Sequence, residues 1–304
     1  MRIAVVTRTL ACIGGVEAYV EQSVHGLREA GHDVCVFAED RQTRAAGLSV
    51  PSWAPHEAMP AVDAAVRSFS PQIVMSHGVG DPALEEALSS IGPSVFFAHA
   101  HHGTCISGAK AHSFPGIQTC QRTLGAGCLV RYFPRRCGGL NPVTMVREYG
   151  SQQRHLAAVR RHERVFALSA YIAGEYERHG VLRERIRVLP PPVPARRDTH
   201  DAVADPAHVV YLGRLERLKG PAIAVAAVAA AAVRLARSLR LTVAGEGSAL
   251  ADVQRAVAQV PPRALLEVRL VGHLDSDACD ALLDSAGLLV VPSLWPEPFG
   301  LVGF

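Results

Sequence analysis

No stretch of this chain is expected to cross a bilayer as a single helix. The longest apolar run, Ala222 to Val233, covers about two-thirds of the ~18 residues needed and is Ala-rich rather than Leu-rich. It reads as a packed helix. No charge of one sign dominates either: a net charge of +3 over 304 residues gives no global pull on a polyanion, so no nucleic-acid partner is expected. The G-x-G-x-x-G fingerprint is missing, which disfavours a dinucleotide-dependent oxidoreductase or epimerase. The seven Cys include no C-x2-C knuckle and so give only a partial zinc signal. Met1 to Arg8 reads as an apolar strand broken by Arg8, without a signal-peptide profile. A cytoplasmic protein with mostly reduced thiols is therefore expected.

What the chain does have is a regular alternation of short apolar strands and helical patterns. That rhythm implies an α/β protein with parallel sheets and helices on both faces. Strands are expected at Ile3–Thr7, Val34–Phe37, Ile73–Ser76, Ser94–Ala98, Val165–Leu168 and Ile186–Leu189, with helices at Val16–Ala30, Pro142–Glu163 and Ala170–His179. Residues 190–206 hold a Pro-rich, polar stretch that reads as an interdomain linker. A second series then runs from His208 to Val291. The expected organisation is an N-terminal domain 1–190 with a Cys-containing insertion at about 103–140, a linker 191–206, and a C-terminal domain 207–304.

Charge is distributed more unevenly than the net value suggests. Between Arg122 and Arg164 there are nine Arg against two acids, Glu148 and Glu163. The segment is either a solvated helix face or a contact for an anionic surface or acceptor, the membrane included. Cys105, Cys120, Cys128 and Cys137 are spaced C-x14-C-x7-C-x8-C. A structural metal, most simply zinc, reduced thiols and disulfides all remain open for them.

Several loops carry groups suited to a phosphorylated ligand. Gly213-Arg214-Leu215-Glu216-Arg217-Leu218-Lys219-Gly220 follows a strand and opens a helix. Arg214 and Lys219 can hold a diphosphate from two sides there, aided by the helix dipole, unless they are incidental cations on a turn. Gly14-Gly15 either admits a phosphate or sugar close to the backbone or simply makes a tight turn. Gly245-Glu246-Gly247 is either a turn or part of a binding wall. His99, His101 and His102 lie at a strand's carboxyl end, where imidazole can bond a sugar hydroxyl or bind metal. Asp275-Ser276-Asp277 looks like a metal-binding D-x-D, but it precedes a helical run and is better explained as an N-cap.

Pro292-Ser293-Leu294-Trp295-Pro296-Glu297-Pro298-Phe299-Gly300-Leu301-Val302 follows the apolar strand Gly287–Val291 and presents a carboxylate at a sheet's carboxyl edge. Together with the Gly14-Gly15-Val16-Glu17, Gly31-His32-Asp33-Val34, His99, Pro191-Pro192-Val193, Gly213–Gly220 and Gly245-Glu246-Gly247 segments, it resembles the retaining GT-B glycosyltransferases of family 4, also called glycosyl transferases group 1. The resemblance implies two Rossmann-like domains facing a cleft and a nucleotide-diphosphate sugar as donor. By it, Arg214 and Lys219 grip the diphosphate, and Glu297 with the backbone at Phe299-Gly300 holds the sugar. Gly14-Gly15 approaches the donor, Glu246 lines the donor site, and His99 touches the sugar near the reacting carbon.

The family's E-x7-E motif has Glu297 as its first glutamate, and the second would fall at position 305. The C-terminal domain is accordingly expected to be incomplete. The implied reaction is sugar transfer to an acceptor hydroxyl with retention and without a required cofactor, fixed cations stabilising the leaving diphosphate. The acceptor is expected to be a carbohydrate or lipid-linked molecule of the cell envelope, reached at the inner face of the membrane. The competing expectation is a truncated or degenerate relative that keeps the scaffold without turnover.

Overall fold

The computed structural model describes residues 1–9, 15–39, 62–191 and 204–303. It falls into two compact units, one of Met1–Gly116 and Cys120–Pro192, the other including Val193–Phe304.

The first unit runs β1 Arg2–Thr7, α1 Gly15–Glu29, β2 Asp33–Ala38, α2 Val62–Phe69, β3 Ile73–Ser76, α3 Pro82–Leu88 and β4 Ser94–Ala98. A small pair, β5 Ala111–His112 and β6 Gln118–Thr119, precedes α4 Ala126–Tyr132, α5 Pro142–Val159, β7 Arg164–Ala167, α6 Ala170–Arg178 and β8 Ile186–Val188. Six strands form a parallel sheet in the order β2-β1-β3-β4-β7-β8. β1 shows why both faces are covered, since successive side chains of a strand point to opposite sides. Ile3 and Val5 pack with Val20 and Val24 of α1. Ala4 and Val6 pack with Val66 of α2 and Leu88 of α3. A run buried on both faces loses polar alternation, so it reads as continuous hydrophobic sequence.

α5 ends at Val159 rather than Glu163. The next residues turn into the sheet: the Glu163 N–H donates to the Ser94 carbonyl at 2.9 Å, and the His162 ring pairs with the Ser94 hydroxyl at 2.9 Å. α3 starts where Asp81 Oδ1 accepts the Ala83 N–H at 2.8 Å, with Pro82 at the first helical position.

The second unit runs β9 Asp205–Leu212, α7 Pro221–Leu235, β10 Leu239–Ala244, α8 Leu250–Ala258, β11 Leu266–Gly272, α9 Ser276–Asp284 and β12 Ala286–Leu289. Its four parallel strands are ordered β11-β10-β9-β12. Of the expected linker, residues 192–203 lie outside the described residues, and Asp205 and Pro206 belong to β9 instead. Pro206 is tolerated because β10 pairs with β9 only from His208 onward. On the other side β12 shifts register between Ala286 and Leu288, where a side chain on Gly287 would lie 2.6 Å from Pro206 Cα. Asp275 caps α9, accepting the Ala278 N–H at 2.8 Å.

With its preceding turn, α7 forms a helical stretch Arg217–Leu235 long and apolar enough, by length and composition alone, to cross a bilayer. Its place is in a core. Ala224, Val225, Val228, Ala229 and Ala232 are buried against Val209, Leu241 and Val243 of the sheet. Ala at these positions lets the helix sit close to the strands.

Candidate functional site

In the second unit the chain leaves β9 toward β10 and β11 on one side, then returns to place β12 on the other. Such a reversal opens a crevice at the strands' carboxyl ends, where α/β sheets bind ligands. The loops after β9 and β12 flank it, and they carry Arg214, Lys219 and Glu297.

These loops are held together by backbone contact. The Leu294 N–H donates to the Leu218 carbonyl at 2.7 Å. Gly220 has φ +68°, and a Cβ there would lie 2.2 Å from the Pro292 carbonyl oxygen. The loop after β12 therefore crosses directly over the N-terminus of α7, and only glycine permits it. The β10–α8 loop closes in likewise: Gly245 has φ +133°, and a Cβ would lie 2.0 Å from the Gly213 carbonyl oxygen. The Leu215 N–H donates to the Glu246 carbonyl at 2.7 Å. Glu246 thus fixes the Arg214 turn through its backbone, while its side chain is exposed.

The centre of the arrangement is a carboxylate. Glu297 Oε1 accepts from Lys219 Nζ at 2.6 Å and from the Ser293 hydroxyl at 2.6 Å. Burial raises its pKa, but the bonds from Lys219 and Ser293 outweigh burial and hold the carboxyl below its usual range. Lys219 Nζ also lies 5.1 Å from the Trp295 ring centroid, a cation–π distance. Arg214 pairs with Glu216 at 2.6 Å and is well exposed. The Tyr211 hydroxyl beneath donates to the Arg214 carbonyl at 3.0 Å. Burial, then Glu297 and Glu216, push that phenol's pKa up, while Arg214 opposes them. Phe299 and Gly300 follow Glu297 on the same loop, Gly300 with φ +81°. Ser293 and Trp295 are the partners that the motif's spacing did not single out.

In the first unit Gly14 lies outside the described residues, and Gly15 opens α1. His99 follows β4 and pairs ring to ring with His77, which follows β3, at 2.9 Å. Burial pushes His99 down to about 4, and burial followed by the His99 charge lowers His77. Both rings are therefore neutral near pH 7. The Tyr19 ring of α1 meets His99 edge-on at 5.0 Å between centroids. His77 was not marked by sequence, because one His after one short strand carries no pattern.

Cys105, Cys120, Cys128 and Cys137 are free and half-buried. Burial, then Cys105, Cys120 and Cys128, push the Cys137 thiol up to about 11, so the four thiols share one neighbourhood. His112 Nδ1 lies 3.3 Å from Cys137 Sγ. Among the described residues, however, the one group of three or more possible ligands within 4.8 Å of one another is Glu85, His102 and His155.

The basic segment divides in two. Arg154 makes two bonds to Glu86, at 3.0 and 2.9 Å. Arg160 donates to the His179 carbonyl, and Arg161 to the Ser89 hydroxyl at 3.2 Å. These later arginines serve the fold. The earlier part, around Arg131, Arg135, Arg136 and Arg147, carries the strongly exposed apolar side chains Val130, Leu140, Val143 and Val146.

The profile of Glycosyltransferase Family 4 matches residues 13–197. That of Glycosyl transferases group 1 matches residues 194–303. The chain belongs to glycosyltransferase family 4. Among curated proteins it is similar to the glycogen synthase of Mycobacterium tuberculosis, 41% identical over 128 residues. That match covers 40% of this chain and 28% of the relative's length. Among solved structures, the lipopolysaccharide outer core galactosyltransferase WaaB superposes with TM-score 0.58 at 14% identity, covering 99% of this chain and 76% of that one. HepE of Anabaena, solved with UDP and glucose, gives TM-score 0.58 at 15% identity, covering 99% and 77%. At such identities the likeness shows the fold, which is that of the GT-B glycosyltransferases.

Proposed function

We propose that this glycosyltransferase-family protein transfers a hexosyl group from a nucleotide-diphosphate sugar to an acceptor hydroxyl, with retention of configuration. The observation that carries this is the grouping of Lys219, Ser293 and Glu297 beside the N-terminus of α7. A cation and a helix N-terminus suit a diphosphate, and an ionised carboxylate next to them suits a sugar hydroxyl. Glu297 pairs with Lys219 at 2.6 Å. A bound diphosphate would take over that cation, while Glu297, still held by Ser293, would accept from the sugar.

Negative charge builds on the leaving diphosphate as the glycosidic bond breaks, and Lys219 and Arg214 would stabilise it in place. The residues need no metal or other cofactor for that role. His99, neutral and fixed by His77, would serve as hydrogen-bond partner to a sugar hydroxyl. HepE's complex with UDP and glucose supports a uridine donor as the first to try. The test is incubation with UDP-, ADP- and GDP-hexoses plus oligosaccharide and polyprenyl-type acceptors, following nucleoside diphosphate release and the product's anomeric coupling by NMR. Release with an α-linked product from an α-linked donor is expected. Inverted product would contradict the reading, and binding without release would leave a scaffold without turnover.

We propose further that the acceptor is met at the inner membrane face, because exposed Val130, Leu140, Val143 and Val146 lie beside unburied arginines. Such a mixed surface suits anionic lipid. The protein is expected to sediment with vesicles containing phosphatidylglycerol, and Val143→Asp with Val146→Asp to abolish sedimentation. Equal sedimentation of the variant would refute the contact.

A further inference from the structure

The first unit holds a second polar cluster, which the donor chemistry does not use. Glu85 comes from α3, His102 from the segment after β4, and His155 from α5. One potential ligand atom of each lies within 4.8 Å of the other two. Glu85 and His155 are fully buried. His102 Nε2 and His155 Nδ1 are buried without a hydrogen-bond partner, although the two rings are only 3.9 Å apart between centroids.

Three independent features converge on this cluster. The first is the far side of His155: its Nε2 faces the Gly80 carbonyl at 3.2 Å. A carbonyl can only accept, so Nε2 carries the hydrogen and Nδ1 turns its lone pair inward. Metal-binding His residues characteristically have that outer-shell partner. The second is the support behind Glu85, whose carboxylate accepts from Ser76 Oγ at 3.0 Å and is paired with His162 at 3.0 Å. His162 is itself fixed by Ser94.

The third is the backbone that delivers His102. Gly103 has φ +72°, and a Cβ there would lie 2.9 Å from the Leu156 nitrogen. Its N–H donates to Gln152 Oε1 at 2.6 Å. Glycine at 103 thus lets the chain press against α5 where His102 meets His155.

One carboxylate and two imidazoles, each ring with a buried nitrogen that lacks a partner, thus form one compact group. We propose that Glu85, His102 and His155 bind a divalent cation of the zinc class, which staples α3, the segment after β4 and α5 together. Imidazole nitrogen with one carboxylate suits zinc better than the hard all-oxygen cations. Ligand atoms about 2.1 Å from a tetrahedral zinc lie roughly 3.4 Å apart, so the side chains need to close by about 1 Å. Three protein ligands leave the fourth position for water. The inference is independent of the donor reading.

The test is to strip the full chain with a chelator and titrate it with cobalt(II), then displace cobalt with zinc. Cobalt held by nitrogen and oxygen gives weak visible bands, whereas thiolate ligands add intense near-ultraviolet charge transfer, so the four Cys are told apart from this site. One equivalent with the nitrogen–oxygen spectrum is expected. His102→Gln and His155→Gln should weaken it by about 10- to 100-fold or more, and Cys137→Ser should keep it. A folded wild type that takes up no cobalt, or shows only the thiolate spectrum, would overturn the proposal, as would unchanged binding in both His variants. Should a variant fail to fold, the wild-type spectrum alone decides.

Discussion

Lys219→Ala is expected to lower kcat by on the order of 10²- to 10³-fold, the scale set by removing one preorganised charge stabiliser from a transition state. The effect should fall mainly on kcat, because charge on the leaving diphosphate is greatest as the bond breaks. A second consequence is local. Glu297 would lose its 2.6 Å ion pair and keep the Ser293 bond, so its carboxyl should titrate higher in the variant. Glu297→Gln separates the roles: it frees Lys219 for phosphate but removes a charged acceptor worth about 1.5–3 kcal/mol, or roughly 10- to 150-fold in donor affinity. Steady-state kinetics on both variants, with donor varied, would distinguish them. Equal loss of KM alone in both would mean that Lys219 binds donor without helping the chemistry.

Lys110→Met is expected to destabilise the first unit by about 3–5 kcal/mol, the cost of leaving one member of a buried ion pair behind. Lys110 Nζ lies 2.7 Å from Glu175 Oε2, with side chains 1% and 0% exposed. The same ammonium donates to the Arg122 carbonyl at 2.5 Å. Arg178 also pairs with Glu175 but is partly exposed, which places the cost toward the lower end. Burial, the largest influence, already lowers the Lys110 pKa, while the nearby thiols oppose it. Since Lys110 ties the Cys-containing segment to α6, its loss should also speed modification of the cysteines by a thiol reagent. Urea denaturation and thiol kinetics measure the two effects. A Lys110→Met, Glu175→Leu double variant should recover much of the stability, because no unpaired charge then remains buried.

The strands were legible where burial on both faces writes itself as uninterrupted Val, Ile and Ala, as in Ile3 to Val6. α3 was not foreseen: it is seven residues long, under two full turns, and one of its two buried residues is a glutamate, Glu85, beside Leu88. The start of β9 was blurred by Pro206, whose place in a strand depends on where β10 begins to pair. For the candidate site, Arg214, Lys219 and Glu297 could be read from their positions after strands and before a helix. The Lys219–Glu297 bond could not, since it joins residues 78 apart in sequence. The His77–His99 pair and the Glu85, His102, His155 cluster were hidden for the same reason. Each polar residue alone has an ordinary explanation, and only the fold supplies its neighbours.

Isothermal titration of UDP, ADP and GDP into the protein shows whether the second unit carries a working diphosphate site. At least one of them is expected to bind in one-to-one ratio, more weakly with rising salt, and Arg214→Ala and Lys219→Ala are each expected to weaken it at least about tenfold. A folded wild type that binds none of the three, or a pair of variants that bind as well as the wild type, would contradict it.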